Sequence, residues 1–312
     1  MITLRQLEIF LAVARTEHVT EAAKELHLSQ SAVSAALAEL TAQLGGPLFD
    51  REGRRIVRNA RGRRLQEEAA DLLQRADDLV RSLRGDREVR GRLRVGASST
   101  IGMYLLPEQI ARFAAANDGV DVDLEIGNSA AIEDKLVARA LDLGFIEGPS
   151  QRAELVAVPW RVDELAVFVR KGDPLAKRRR RLAVHDLAAL RWVSREAGSG
   201  TRAVFEAALR AHEQQVAPAV TMGHSEAVKA AVRAGLGVGC LSTLAIRAEL
   251  ASGAFVRLRV DGLDLTRRLW RLSRRQGYQS ALQRAFASFG GDEGSVAGGA
   301  AIRRRPTARD RK

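Results

Sequence analysis

The chain carries one cysteine among 312 residues, so an internal disulfide framework is excluded. No Cys/His cluster stands at metal-ligand spacing; no metal is expected and no cofactor is implied. Five histidines lie scattered without a local dyad, and neither Ser99 nor Ser199 sits in a G-x-S-x-G elbow. An enzyme using either serine with a histidine is therefore the poorer reading. Charges interrupt the apolar run of the N-terminal MITLRQLEIFLAVART, and it has no small-residue cleavage site. It reads as neither signal peptide nor membrane span, and a cytoplasmic placement is the simplest. Aromatic residues make up only 4%, yet 46% of the chain is hydrophobic, enough to build cores.

What is present starts with length and charge. A chain of 312 residues is long for one core and points to two or three domains. Fifty Lys and Arg against 38 acids leave a net charge of +12, which favours a polyanionic partner without naming it.

The most informative stretch is TEAAKELHLSQSAVSAALAELTAQL, Thr20 to Leu44. Ala22, Ala23 and Leu26, then Val33, Leu37, Leu40 and Leu44, recur at helical spacing on two short helices whose faces can pack together. Ser29 is a good N-cap for the second helix. Its exposed start would present Gln30, Ser31 and Ser34, with no acid before Glu39, which suits a recognition helix in a DNA major groove. Taken alone, the stretch is equally an ordinary packed helix pair. Before it, Thr3 and Gln6 form a capping box, Ile2 and Leu7 stand at staple positions, and Leu4, Leu7, Phe10, Leu11 and Ala14 make one apolar stripe. After it, Gly45-Gly46-Pro47 stops the helix. Arg51 to Arg64 then holds seven arginines and one glutamate around a Glu52-Gly53 turn, a hairpin wing able to reach phosphates or a minor groove.

From Arg61 a long helix follows. Leu65, Ala69, Leu72, Ala76, Leu79 and Leu83 step by four and three, widened by Leu73 and Val80, which is the seam of a coiled coil. Two chains are expected to pair along it, against the alternative that the helix packs on its own C-terminal domain. Beyond a polar hinge at 85–91, short apolar strands alternate with helices: Leu93 to Ala97, Val122 to Ile126 and Leu143 to Ile146, crossing strands around Val156 to Val169, then Trp192 to Ser194 and Leu236 to Leu241. A strand and helix within Leu269 to Phe289 return to the first set. The expected fold class is α/β with an N-terminal all-α winged helix-turn-helix, a long dimerising linker helix and a two-lobed, cleft-forming effector domain. The expected boundaries are 1–60, 61–86 and 92–290, with lobe I at about 92–161 and 266–290 and lobe II at about 162–265. The segment 291–312, ending RRRPTARDRK, reads as a disordered basic tail. The run KRRRR at 177–181 reads as a solvated loop.

Hydroxyls cluster where strands hand over to helices: Ser98-Ser99-Thr100 and Ser129 in one lobe, Ser199-Gly200-Thr201 and His224-Ser225 in the other. Ligands of open α/β sheets bind beyond the carboxyl ends of strands, where helix N-termini offer free N–H groups. Each hydroxyl is alone explained as a helix cap; facing clusters favour a small anion. Glu147 follows Phe145-Ile146 at the same cleft, where it either orients serines or binds a ligand donor.

Residues 1 to about 290 resemble LysR-type transcriptional regulators, through LRQLEIFLAVA, AAKELHLSQSAVSAALAELTAQLG and LFDREGRR at the N-terminus. Thr41 and Asn59 stand where that family usually has glutamate and threonine. The resemblance implies a winged helix-turn-helix with Gln30, Ser31 and Ser34 at double-stranded promoter DNA and Arg51, Arg54 and Arg55 near it. It also implies a periplasmic-binding-protein-like effector domain and a homodimer assembling to a homotetramer. ASSTIGMYLLP, DLGFIEGP, REAGSGTR and HSEAVKAAVRAGLGVGCLS are similar to a subgroup that includes sensors of small oxyanions and of sulfur and carbon metabolites. Sulfite, sulfate or a related anion is the first expectation for the effector. The competing reading, a solute-binding transport protein, explains only the cleft.

Overall fold

The computed structural model describes residues 1–290 apart from 54, 85–88 and 178–180. Arg54, most of the hinge, the centre of the 177–181 basic run and the tail 291–312 therefore lie outside the described residues. No helix among the described residues is long and apolar enough to cross a membrane.

The capping box forms as its spacing predicts: Thr3 Oγ1 accepts from the Gln6 amide at 3.2 Å, and Gln6 Oε1 accepts from the Thr3 amide at 2.9 Å. Helix Leu4–Thr16 is apolar on two faces. Leu7, Phe10 and Ala14 enter one core, and Ile9, Ala12 and Val13 another. Leu4, expected on the first stripe, is 48% exposed because the first turn overhangs the bundle, and Ile2 is exposed as well. Helices Val19–Glu25 and Gln30–Gln43 meet through Ala22, Ala23 and Val33. Ser29 caps the second of them, its hydroxyl accepting from the Ala32 amide at 3.1 Å. Strands Phe49–Glu52 and Arg55–Arg58 then form an antiparallel hairpin with Glu52 opposite Arg55 and Gly53 in the left-handed region, φ +63°. The ring of Phe49, 5.4 Å from that of Phe10, packs this wing against the bundle.

The linker helix Ala60–Arg84 starts on Asn59, whose Oδ1 accepts from the Gly62 amide at 3.0 Å while its Nδ2 donates to the Pro47 carbonyl at 2.9 Å. The expected seam divides in two. Leu65, Ala69 and Leu73 pack into the helix-turn-helix core, whereas Leu72, Leu79, Val80 and Leu83 are 48, 60, 47 and 81% exposed. A separate polar face docks on the chain's own C-terminal domain. There Asp71 pairs with Arg139 at 2.5 Å, Asp78 accepts from the Tyr278 hydroxyl at 2.7 Å and the Ala281 amide at 2.9 Å, and Arg75 stacks over the Tyr278 ring.

Strand Gly91–Ser98 pairs in parallel with Val120–Gly127 and Leu143–Glu147, as strand-helix alternation requires. Thr266–Arg274 returns antiparallel beside Leu143–Glu147. Its helix Ala281–Ser288 closes the same core, with Phe286 against Phe113 at 5.0 Å. The second lobe is built alike: Val238–Ser242 is parallel to Trp192–Arg195, which is parallel to Pro218–Met222. One 16-residue strand, Leu155–Arg170, belongs to both lobes. It pairs with Thr266–Arg274 up to Glu164 and with Val238–Ser242 from Leu165. The handover of the chain between lobes thus falls a few residues later than 161/162. Helices cover both faces of the second lobe, so Leu165 and Val167 face Trp192 and Phe205, while Ala166 and Phe168 face Val228 and Val232.

Candidate functional site

At the N-terminal module, Gln30, Ser31 and Ser34 are all exposed on the first turns of helix Gln30–Gln43. The Ser31 hydroxyl lies 3.0 Å from that of Ser29. Arg51 and Arg55 are exposed on the wing. Other arginines of the basic run serve the fold. Arg58 donates to Gln66 Oε1 at 2.6 Å and lies 3.8 Å from Glu17, and Arg61 donates to the Leu44 carbonyl. The exposed polar groups of the module thus include a short polar helix start and the guanidinium groups of Arg51 and Arg55 on the wing.

Between the lobes the parallel strands place Ser98 and Glu147 side by side at their carboxyl ends, and helix Ser99–Tyr104 begins there. Glu147 is 4% exposed. Its Oε1 accepts from Ser98 Oγ at 3.2 Å and the Thr100 amide at 3.1 Å; its Oε2 accepts from Thr201 Oγ1 at 2.6 Å and Arg267 Nη1 at 2.9 Å. Burial pushes this carboxyl up, but the Arg267 charge and the Thr201 and Thr100 donors outweigh it and hold the group at about 2. Arg267 also donates to Asp163 at 2.7 Å, and Asp163 in turn accepts from Ser242 at 2.8 Å. Burial lowers the Arg267 pKa and the two carboxylates more than compensate, so the guanidinium stays charged. Gly200 stands where a Cβ would meet the Glu147 carbonyl oxygen at 2.2 Å, so the second lobe closes directly onto the first. Ser129 accepts from the Glu147 amide at 3.4 Å, and the Ala130 amide donates to the Gly198 carbonyl across the cleft at 3.3 Å.

A second guanidinium lies at the same cleft. Arg195, 3% exposed, donates to Ser225 Oγ of its own lobe at 2.8 Å and to Ser99 Oγ of the other lobe at 3.3 Å. The acid paired with it is its neighbour Glu196, whose side chain is 22% exposed. At the rim, Tyr104 of lobe I donates to Glu226 of lobe II at 2.7 Å.

The structure thus brings Ser98, Thr100, Ser129, Glu147, Gly200 and Thr201 into one cluster, and Ser99 into another. Ser199 is buried at the start of helix Gly200–Arg210, where its hydroxyl makes no capping bond. His224 is exposed and its Nδ1 accepts from the Glu226 amide at 3.2 Å. It is the cap of helix Ser225–Arg233, and the buried Ser225 beside it is the residue that reaches the cleft. Arg195, Arg267 and Asp163 were missed. Arg195 opens REAGSGTR, and a basic residue at the end of an apolar strand was the available signal; Arg267 and Asp163 lie on crossing strands whose register no local pattern reveals. Cys240 is buried, which pushes its thiol up to about 12, so it packs and offers no thiolate. No group of three acids, histidines or cysteines able to hold a metal occurs among the described residues.

Residues 4–63 match the family described as bacterial regulatory helix-turn-helix protein, lysR family, and residues 86–294 match the LysR substrate binding domain. The HTH-type transcriptional regulator YeiE of Escherichia coli (strain K12) is 42% identical over 288 residues, covering 92% of this chain and 97% of that one. Among solved structures, a full-length OxyR variant from Pseudomonas aeruginosa superposes with a TM-score of 0.71 at 22% identity over 88% of this chain and 89% of that chain. The Synechocystis CcmR regulatory domain in complex with 2-PG does so with a TM-score of 0.59 at 26% identity, over 64% of this chain and 94% of that one. The matched families and relatives are transcriptional regulators and not enzymes.

Proposed function

The chain belongs to the LysR family of transcriptional regulators, and from that premise we propose that a small oxyanion bound between its lobes at Arg195 alters its hold on promoter DNA. The transport-protein reading is not supported, because a helix-turn-helix and a linker helix precede the cleft. One observation carries the proposal: hydroxyls of opposite lobes, Ser99 and Ser225, converge on a single buried guanidinium. Charge-assisted bonds from such a group to a compact oxyanion would be short and strong, and an anion shared by both lobes would favour their closed arrangement. Sulfite and sulfate are the first candidates. A change in lobe closure would reach the DNA module through Asp71 and Asp78, which join the linker helix to the lobe carrying Arg139 and Tyr278.

Binding to the DNA beside the protein's own gene, footprinted at about 0.15 M salt with and without sulfite, sulfate, thiosulfate and sugar phosphates, tests this. One anion should change the footprint, and Arg195→Met should abolish that change while leaving the anion-free footprint intact. A variant that responds like the parent would remove Arg195 from the site.

The working unit is a homodimer joined along Leu72, Val80 and Leu83, assembling to a homotetramer, so that paired recognition helices read two half-sites with Gln30, Ser31 and Ser34. Leu72→Asp with Leu83→Asp should weaken self-association at least tenfold, about 1.4 kcal/mol, by sedimentation. An unchanged association constant would place the interface elsewhere.

A further inference from the structure

Both guanidinium groups in the cleft are hydrogen-bonded, Arg195 to Glu196, Ser225 and Ser99 and Arg267 to Glu147, Asp163 and neighbouring hydroxyls, so what separates them is their charge balance. Glu147 receives two donors from its own lobe, Ser98 Oγ and the Thr100 amide, one from the other lobe, Thr201 Oγ1, and one from the returning strand, Arg267 Nη1. Hydroxyls, a backbone N–H and a guanidinium converging from several elements are what a receptor for a carboxylate or similar oxyanion is made of. Here the anion they hold is part of the chain. Arg267 faces a second carboxylate, Asp163, so one positive charge already answers two negative ones. A further anion at that end would meet excess negative charge in a water-poor site, where like charges repel strongly. Arg195 is paired at two points with one partly exposed carboxylate, Glu196, so that end carries no excess negative charge.

We infer that Glu147 is a resident anion: it fills the ligand position formed by Ser98, Thr100, Thr201 and Arg267, ties the two lobes together there, and confines an effector to the Arg195 end. The effector is then a compact oxyanion with one acidic head, and molecules carrying a second acidic group are excluded because Glu147 occupies that group's place. The specificity part of this inference rests on the reading of Arg195 given above, whereas the resident-anion part does not.

Chemical rescue of the full-length chain tests it. Glu147→Ala empties the position while Arg267 keeps Asp163, so acetate or formate should bind in the vacated space. In thermal unfolding followed by tryptophan fluorescence, which reports the C-terminal domain because all three tryptophans (Trp160, Trp192 and Trp270) lie there, Glu147→Ala should melt below the parent. Acetate at ten times its dissociation constant should raise that melting temperature by roughly 3–6 °C, and should leave the parent within about 1 °C of its own value, a limit set at roughly a third of the smallest expected gain. Glu147→Gln keeps the volume but not the charge, so it should be destabilised and not rescued. Equal acetate responses in parent and Glu147→Ala, or a Glu147→Gln variant as stable as the parent, overturn the inference. Should Glu147→Ala not fold, the Glu147→Gln comparison alone decides. Failed rescue beside an intact anion-dependent footprint sinks only the resident anion; successful rescue with no anion-dependent footprint sinks only the effector site.

Discussion

Arg267→Ala should destabilise the C-terminal domain by about 3–5 kcal/mol, the usual consequence of removing one partner from a buried ionic cluster. Arg267 is 4% exposed and is bonded to both Glu147 and Asp163, themselves 4 and 6% exposed. Its loss leaves two carboxylates buried with no countercharge beside them. Urea unfolding followed by the fluorescence of the three tryptophans isolates the affected domain. The pH dependence should separate this cause from simple loss of packing. In the parent, the folded Glu147 carboxyl sits at about 2 against its ordinary 4.5. Its contribution is present above pH 4.5 and is lost as pH falls from there toward about 2. Without Arg267, burial raises the folded carboxyl above its unfolded value, so the folded state holds protons that the unfolded state has released. The variant should therefore gain stability relative to the parent as pH falls from about 7 to about 5. A deficit that does not change with pH would mean that Arg267 acts by packing alone.

Ser34→Glu should weaken binding to the specific operator by about 1–3 kcal/mol, roughly five- to 150-fold, with self-association unchanged. Ser34 is exposed on the second turn of helix Gln30–Gln43, and that helix has no acid before Glu39. A carboxylate there would meet base edges and phosphates with charge of the wrong sign and with no countercharge in the groove. Fluorescence anisotropy with labelled operator, repeated across salt concentrations, gives the loss directly. Operator binding equal to the parent's would take Ser34, and with it this reading of the helix start, out of the interface.

The readable parts of this protein are those whose causes lie close together in the chain. The capping box at Thr3 and Gln6, the Ser29 cap, the Glu52-Gly53 turn and the alternation of strands and helices all formed as expected. Spacing also put Ser98, Thr100, Ser129 and Thr201 at strand ends, and they do meet at the cleft. The linker helix was half legible. A four-three repeat shows that a face is apolar but not which neighbour covers it, so nothing local distinguished Leu65 and Ala69, packed into a core of the chain itself, from Leu72 and Leu83, left exposed.

Charge pairing was the part that local pattern could not carry. Seven arginines in one run look alike until the fold ties Arg58 to Gln66 and Arg61 to Leu44 and leaves Arg51 and Arg55 outside. Ser99 reaches Arg195 across 96 residues, and Glu147 reaches Arg267 across 120. Such partners are selected by strand register and lobe closure, where shifting a strand by one residue moves each side chain to the opposite face. Helix starts, turns and apolar periodicity could thus be read from neighbours in the chain, since short-range sterics and hydrogen bonding decide them. Which acid each buried arginine neutralises, and hence which end of the cleft is left for a ligand, was settled only by packing two lobes together, because the cost of an unpaired buried charge is felt only once the surrounding water is gone.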